Sequence, residues 1–206
     1  GELSLRAVAR DVGMVSSAVY RYFASRDELL TALLIEGYSG LGKAVEDAAR
    51  AITDRTDIRA RWTAACRAIR TWSIDHPGDY ALLYGSPVPG YAAPQDTIGP
   101  ATRVVVVLIA IVVDAHGVGA EAPVAPATAP SGMESTVAAA IEFVQSQDEP
   151  DLAFDAEIAM RTLMAWTTVF GTVSFELFGH LVGSVSDYEA YFDHVVIRLG
   201  ADLGII

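Results

Sequence analysis

Helical periodicity runs through every long segment of this 206-residue chain, and the two-residue alternation of a half-buried strand is almost absent. An all-α fold follows. The pattern predicts helices at about 4–12, 16–22, 26–52, 57–76, 78–83, 100–115, 132–146, 152–182 and 187–202. Three starts carry the signature of a capping box, a hydroxyl residue followed three positions later by Glu: Ser25 with Glu28, Ser131 with Glu134, and Ser186 with Glu189. Gly99-Pro100 supplies a fourth, because proline at the first helical position loses no intrahelical hydrogen bond. The stretches 85–99 and 117–132 are rich in Pro, Gly and Ala and read as loops. With 52% hydrophobic residues the chain has ample material for a packed core, so a disordered chain is excluded. Its longest apolar run, Val104 to Val113, is ten residues against the ~20 that span a bilayer, and reads as a buried helix. No membrane segment is expected.

The formal net charge is −12, which at first sight argues against a polyanionic partner. The charge is unevenly placed. Residues 1–35 balance Arg6, Arg10, Arg21 and Arg26 against Glu2, Asp11, Asp27 and Glu28, so the whole excess belongs to 36–206. Only the first segment can approach a nucleic acid without strong repulsion. Cys66 is the single cysteine, and no basic stretch followed by an apolar one opens the chain, so a reducing cytoplasm is the expected location.

Within that first segment, Leu5, Val8, Ala9 and Val12 form an inward stripe at helical spacing, with Arg6 and Arg10 outside. Gly13 ends the helix, and a second short helix begins with the small hydroxyl pair Ser16-Ser17. Val19 and Phe23 face inward; Ser16, Ser17, Ala18, Tyr20 and Tyr22 are left for the other face. This is the logic of a helix-turn-helix, whose second helix offers its N-terminal turn to the major groove.

The stretch GELSLRAVARDVGMVSSAVYRYFASRDELLTALL resembles the DNA-binding segment of TetR-type transcriptional regulators, with LRAVARDVG, the SS start, AVYRYF and SRDELL in the family's order and spacing. The resemblance implies roles for matching residues. Ser16, Ser17 and Ala18 occupy base-reading positions, while Tyr20 and Tyr22 match positions that contact phosphates or neighbouring bases. Ser4 and Arg6 match backbone-contacting positions, and Arg26 stands where the family usually places a phosphate-clamping lysine. A further helix usually precedes this pair in the family; the sequence opens at Gly1, so the head is expected to lack its first packing partner. The expected division is a helix-turn-helix DNA-binding domain at 1–35 and a helical-bundle ligand-binding and dimerisation domain at 36–206.

Further along, AIRTWSIDHPGDYALLY is similar to a segment of TetR-type ligand domains in which a helix ends at His-Pro. In that family the last two helices pair with their copies in a second subunit. Apolar residues surround the helix between Ala153 and Val182 nearly completely, and Tyr188, Tyr191, Phe192, Val195, Val196 and Leu199 make a wide stripe on the next. Either a dimer interface or a monomeric core helix accounts for both patterns. Trp62, Trp72, Tyr80, Tyr84, Tyr91, Trp166 and Phe170 are the candidate lining of a pocket for an apolar or aromatic effector. The four histidines lack metal-site spacing, and no nucleophile elbow or phosphate loop is present, so no metal, cofactor or catalytic residue is expected. Gly37, Gly40 and Gly42 inside one long helix mark either close packing or a flexible joint.

The expected function is a homodimeric repressor that leaves a palindromic operator when a small molecule binds. An activator or effector-independent regulator is the alternative within the class, and a helical enzyme the alternative outside it.

Overall fold

The computed structural model describes residues 22–117, 119–120, 131–146 and 154–206. Among them are seven α-helices and no strand: α1 (Arg26–Ala51), α2 (Ile58–Asp75), α3 (Pro77–Tyr84), α4 (Ile98–Gly117), α5 (Met133–Gln145), α6 (Ala156–Leu177) and α7 (Tyr188–Asp202). A 3-10 turn, Gln95–Thr97, leads into α4. The two short helices expected in the head lie outside the described residues, apart from Tyr22, which sits in a turn.

The start of α1 follows from its sequence. Ser25 Oγ accepts from the Glu28 amide at 3.1 Å, and the Glu28 carboxylate accepts from the Ala24 amide at 2.8 Å, so two otherwise orphaned donors are satisfied. The other two expected capping boxes do not form. Gly132, at φ 87°, caps α5 in place of Ser131, and the Ser135 and Thr136 hydroxyls donate back to its carbonyl. At α7 the cap is Asp187, whose carboxylate accepts from the Ala190 amide at 2.9 Å; it lies one residue nearer the helix than Ser186 and brings a negative charge to the positive end.

The helix expected to run to 182 ends at Leu177. Gly179 takes φ 78°, its amide donates to the Glu176 carbonyl, and the His180 amide donates to Phe175 O at 2.8 Å. This is a Schellman ending, in which a left-handed glycine closes the last turn. Apolar residues beyond it sustain a helical pattern in sequence, yet the backbone has already turned away.

One core joins the helices. Leu41, Val45 and Ala49 of α1, Trp62, Cys66 and Ile69 of α2, Leu108 and Ile111 of α4, and Val169 and Val173 of α6 all belong to it. Trp62 Nε1 donates to the Val196 carbonyl at 2.9 Å, fastening α2 to α7. The segment 95–117 is long and apolar enough to cross a membrane, the one such stretch among the described residues. Its composition has a local cause: Val104, Leu108, Ile111, Val112 and Ala115 are buried inside this bundle.

Helix α1 packs against α2, α3 and α4. Its three glycines sit at these crossings. A Cβ on Gly37 would stand 3.3 Å from Leu83 of α3, one on Gly40 3.3 Å from Trp72 of α2, and one on Gly42 only 2.8 Å from Arg103 Cβ of α4. Close packing, rather than a joint, explains them. Intrinsic propensity favours Gly42→Ala by about 0.8–1.0 kcal/mol, but the overlap with Arg103 should reverse the sign, with a net loss of about 1–2 kcal/mol. Gly37→Ala, facing the flexible tip of a leucine, should stay near neutral; urea unfolding of both variants measures the difference.

Candidate functional site

A cavity of about 190 Å³ lies between α4, α5 and α6. Thr102, Val105 and Ile109 face it from α4; Ala140, Phe143 and Val144 from α5; Ala159, Thr162, Leu163 and Trp166 from α6, with Phe154 just ahead of that helix. The α6 residues recur at i, i+3, i+4 and i+7, one face of a helix. Among the described residues no charged side chain lines it.

Of the seven aromatics expected to line a pocket, Trp166 lines this one. The others are placed differently. Phe170 touches Trp166 edge-on at 6.2 Å between centroids, Tyr84 packs on Phe170 at 4.5 Å, and Tyr80 on Tyr84 at 5.2 Å. Together they make a continuous aromatic wall leading from the cavity toward α3 and, through Tyr38, to α1. Tyr80 is fully buried; its hydroxyl donates to the Phe170 carbonyl at 2.9 Å and meets Ser174 Oγ at 2.8 Å. Burial raises the pKa of Tyr84, with Tyr38 and Tyr80 adding to the effect, and keeps the phenol neutral. Trp62 and Trp72 are interior packing residues, the first bonded to α7 and the second stacked on His76 at 4.8 Å. Tyr91 pairs instead with Thr31 of α1, hydroxyl to hydroxyl at 2.8 Å.

Most of the cavity wall escaped the sequence reading: its aliphatic residues carry no mark of a pocket, and Phe143 and Phe154 lie on and beside helices that the reading did not connect with one. A signal did exist: the run Val104 to Val113 is apolar on more than one face, which a helix needs only if it is covered on more than one side.

The side of α4 away from the cavity holds α1. Arg103 lies next to Thr102 in the chain. Its guanidinium donates to both Glu46 carboxylate oxygens, Nε at 2.7 Å and Nη2 at 2.9 Å, and Nη1 donates to the Ser39 carbonyl at 3.1 Å. Hydrogen bonds from Arg103 hold the Glu46 carboxyl below its ordinary pKa. Such a two-pronged contact fixes direction as well as distance.

Toward the head, Ser4, Arg6, Ser16, Ser17, Ala18 and Tyr20 lie outside the described residues. Tyr22 is 76% exposed. Arg26 opens α1 half-buried, and its Nε has no hydrogen-bond partner among the described residues. Among those residues no group of three or more His, Cys, Asp or Glu side chains comes together to hold a metal ion.

Residues 1–33 match the family model for bacterial regulatory proteins of the tetR family, and residues 62–199 match the model for the tetracyclin repressor-like C-terminal domain. The chain is 43% identical over 178 residues to the HTH-type transcriptional regulators Mb1846 of Mycobacterium bovis and Rv1816 of Mycobacterium tuberculosis, covering 86% of this chain and 73% of theirs. The crystal structure of a proposed regulatory protein, SCO4313, superposes with a TM-score of 0.70 at 28% identity, over 96% of this chain and 84% of that one. A Rhodococcus sp. RHA1 protein of unknown function shares the fold, with a TM-score of 0.63 at 23% identity over 98% and 83% of the two chains.

A helical body joined through one long helix to a helix-turn-helix head defines a DNA-binding transcriptional regulator. The chain belongs to the tetR family of these bacterial regulatory proteins.

The hydrogen bonds of Tyr80 carry a prediction for the aromatic wall. Tyr80→Phe removes the buried hydroxyl that donates to the Phe170 carbonyl and leaves the part-buried Ser174 Oγ without its partner, and should cost about 1–2 kcal/mol. Tyr91→Phe, at a half-buried pair, should cost less than about 1 kcal/mol. Equilibrium denaturation of the two variants gives the comparison.

Proposed function

We propose that the chain is a homodimeric repressor, working in the cytoplasm, that a small apolar or aromatic molecule releases from a palindromic operator. The observation that carries this reading is the position of α4, where Thr102 lines the cavity and the adjacent Arg103 grips α1. A molecule that presses on α4 therefore presses on the helix that leads to the head. Interiors are close-packed and yield by shifting whole elements, so an occupant that displaces α4 changes the direction of α1. Linkage then requires the operator-bound dimer to hold that occupant less tightly, by the same factor.

The division of labour proposed is a head at 1–35 and a body at 36–206, with α1 running unbroken across the boundary. In the head Ser16, Ser17 and Ala18 read base edges; Tyr20 and Tyr22 contact phosphates or neighbouring bases; Ser4, Arg6 and Arg26 hold the backbone. Among the described residues the Arg26 Nε has no hydrogen-bond partner, and a guanidinium at the start of α1 suits that last role because its fork matches phosphate oxygens.

A second copy of the chain covers the remaining apolar surface. Met164 and Phe175 on α6, Phe178 and Val182 beyond it, and Tyr191 on α7 are all at least 40% exposed, while Ile158, Val169, Phe170 and Val173 on the other side of α6 are buried in their own subunit. Large apolar side chains gathered on two adjacent helices are the mark of an association surface.

The test is titration of the full chain against a duplex obtained by binding-site selection. Two chains should bind each duplex, with half-sites about 34–36 Å apart. Affinity should fall steeply with salt, and Arg26→Ala should weaken binding to all sequences alike and reduce the salt slope by about one. Binding that ignores salt, or saturates at one chain per duplex, contradicts the reading.

A further inference from the structure

A glycine inside a helix weakens it relative to alanine, so each one there asks for a reason. First turns and end residues aside, five glycines lie within helices among the described residues: Gly37, Gly40 and Gly42 of α1, Gly171 of α6 and Gly200 of α7. Four have their reason inside the subunit. Those of α1 stand against Leu83, Trp72 and Arg103, and a Cβ on Gly200 would run into Ile206 and stand 3.3 Å from Trp62 Cδ1. Gly171 has no such neighbour. Apart from the residues beside it in the chain and its own helix backbone, nothing lies within 4 Å of where its Cβ would be, and its φ is not in the positive range that favours glycine. Neither the backbone nor the packing of its own subunit requires a glycine at this place.

The surroundings of Gly171 on α6 show what does. Met164, Thr168, Gly171, Phe175 and Phe178, the last of them the residue that caps the helix, recur at alternating steps of four and three. At 3.6 residues per turn they keep within about 40° of one line along the helix. This is the spacing of a helix–helix seam, in which the side chains of one helix enter gaps on another. The line runs opposite Val169 and Val173, which are buried in the core, and Met164, Thr168, Phe175 and Phe178 are exposed along it. Gly171 falls at its middle, a gap between larger side chains. From Thr162 to Phe175 the helix carries no charged residue, in a chain of net charge −12. Two copies of so acidic a chain meet with least repulsion over an uncharged face.

We propose that two copies of α6 cross at Gly171, where the absent side chain lets the helices approach backbone to backbone. This deepens the reading of α6 and α7 as a dimer surface and rests on it; what it adds is the point of closest contact. About a two-fold axis the same patch serves both subunits, so a side chain added at Gly171 is added twice at one crossing. An alanine there crowds the contact and a leucine wedges it open. Both residues are better helix formers than glycine, so a loss on substitution comes from the contact between subunits and not from α6 itself.

Sedimentation equilibrium of the full chain gives the dimer dissociation constants of the wild type, Gly171→Ala and Gly171→Leu, with far-UV circular dichroism following helix content. The expected result is a dimer weakened roughly 3- to 10-fold by alanine and about 30-fold or more by leucine, with helix content kept. Gly171→Cys supplies a second measurement. Under copper phenanthroline, at concentrations where the chain is dimeric, its two thiols should join, because a disulfide needs Cα atoms within about 7 Å of each other. Cys66 is buried and takes no part, and Ala139→Cys, at an exposed position of α5, should not cross-link. Alanine or leucine variants that dimerise as tightly as the wild type, or a Gly171→Cys dimer that does not cross-link, overturn the crossing at Gly171 and leave the dimer reading standing. Should Gly171→Leu lose helix content, the alanine variant and the cross-link decide. A wild-type chain that stays monomeric at every concentration overturns both.

Discussion

The close approach of α1 to its neighbours is the constraint on which the rest of the structure depends. A helix interior with three glycines in six residues forfeits about 0.8–1.0 kcal/mol at each relative to alanine. The return is proximity: Leu83, Trp72 and Arg103 come in from three different helices to stand against backbone rather than against side chains. Over 26 residues α1 is about 39 Å long, long enough to be core at one end and to lead into the head at the other. Its orientation is therefore set by packing in the body, and the Arg103 fork on Glu46 and Ser39 is the most directional of those contacts.

That arrangement gives α4 three surfaces with three tasks. Val104, Leu108, Ile111 and Val112 fill the core, Thr102, Val105 and Ile109 border the cavity, and Arg103 reaches α1. A helix used on all sides must be apolar nearly all round, which is why the same segment passes for a membrane span by composition. The Arg103–Glu46 pair is about one-third exposed on either side, so its contribution to stability is modest; its value lies in geometry. Elsewhere similar ties brace the body: Arg70 binds both Glu176 oxygens at 2.7 and 2.8 Å, joining α2 to the end of α6, and the buried Arg61 meets Asp114 of α4 at 2.6 Å.

Much of this was legible in the sequence, and what was not has physical causes. The all-α fold, the α1 cap at Ser25 and the family head were readable because each is encoded in a few neighbouring residues. The end of α6 was misread because hydrophobic periodicity continues past Gly179, and a single left-handed glycine outweighs it. The caps at Gly132 and Asp187 were displaced by one residue, within reach of competing side chains that spacing does not rank. Among the pocket candidates, aromatic character singled out Trp166 but also Trp62 and Trp72, which the core uses instead. Composition cannot tell a ring that faces a void from one that faces another helix, and the all-round apolar run Val104 to Val113 signals coverage on several sides without saying which side is a cavity. The glycines left two readings open until the partner helices were in place.

The central claim is that the grip of Arg103 on α1 sets where the head points. Spin labels at Asp27→Cys, an exposed position in the first turn of α1, would measure the separation of the two heads in the proposed dimer by pulsed electron resonance; Cys66 is fully buried, with its thiol pKa raised by burial, and stays unlabelled. The account predicts that Arg103→Ala shifts or broadens that distance distribution, while Arg67→Ala, which removes the more exposed pair with Asp193 between α2 and α7, leaves it unchanged. An Arg103→Ala dimer that stays folded and keeps the wild-type distribution would contradict it.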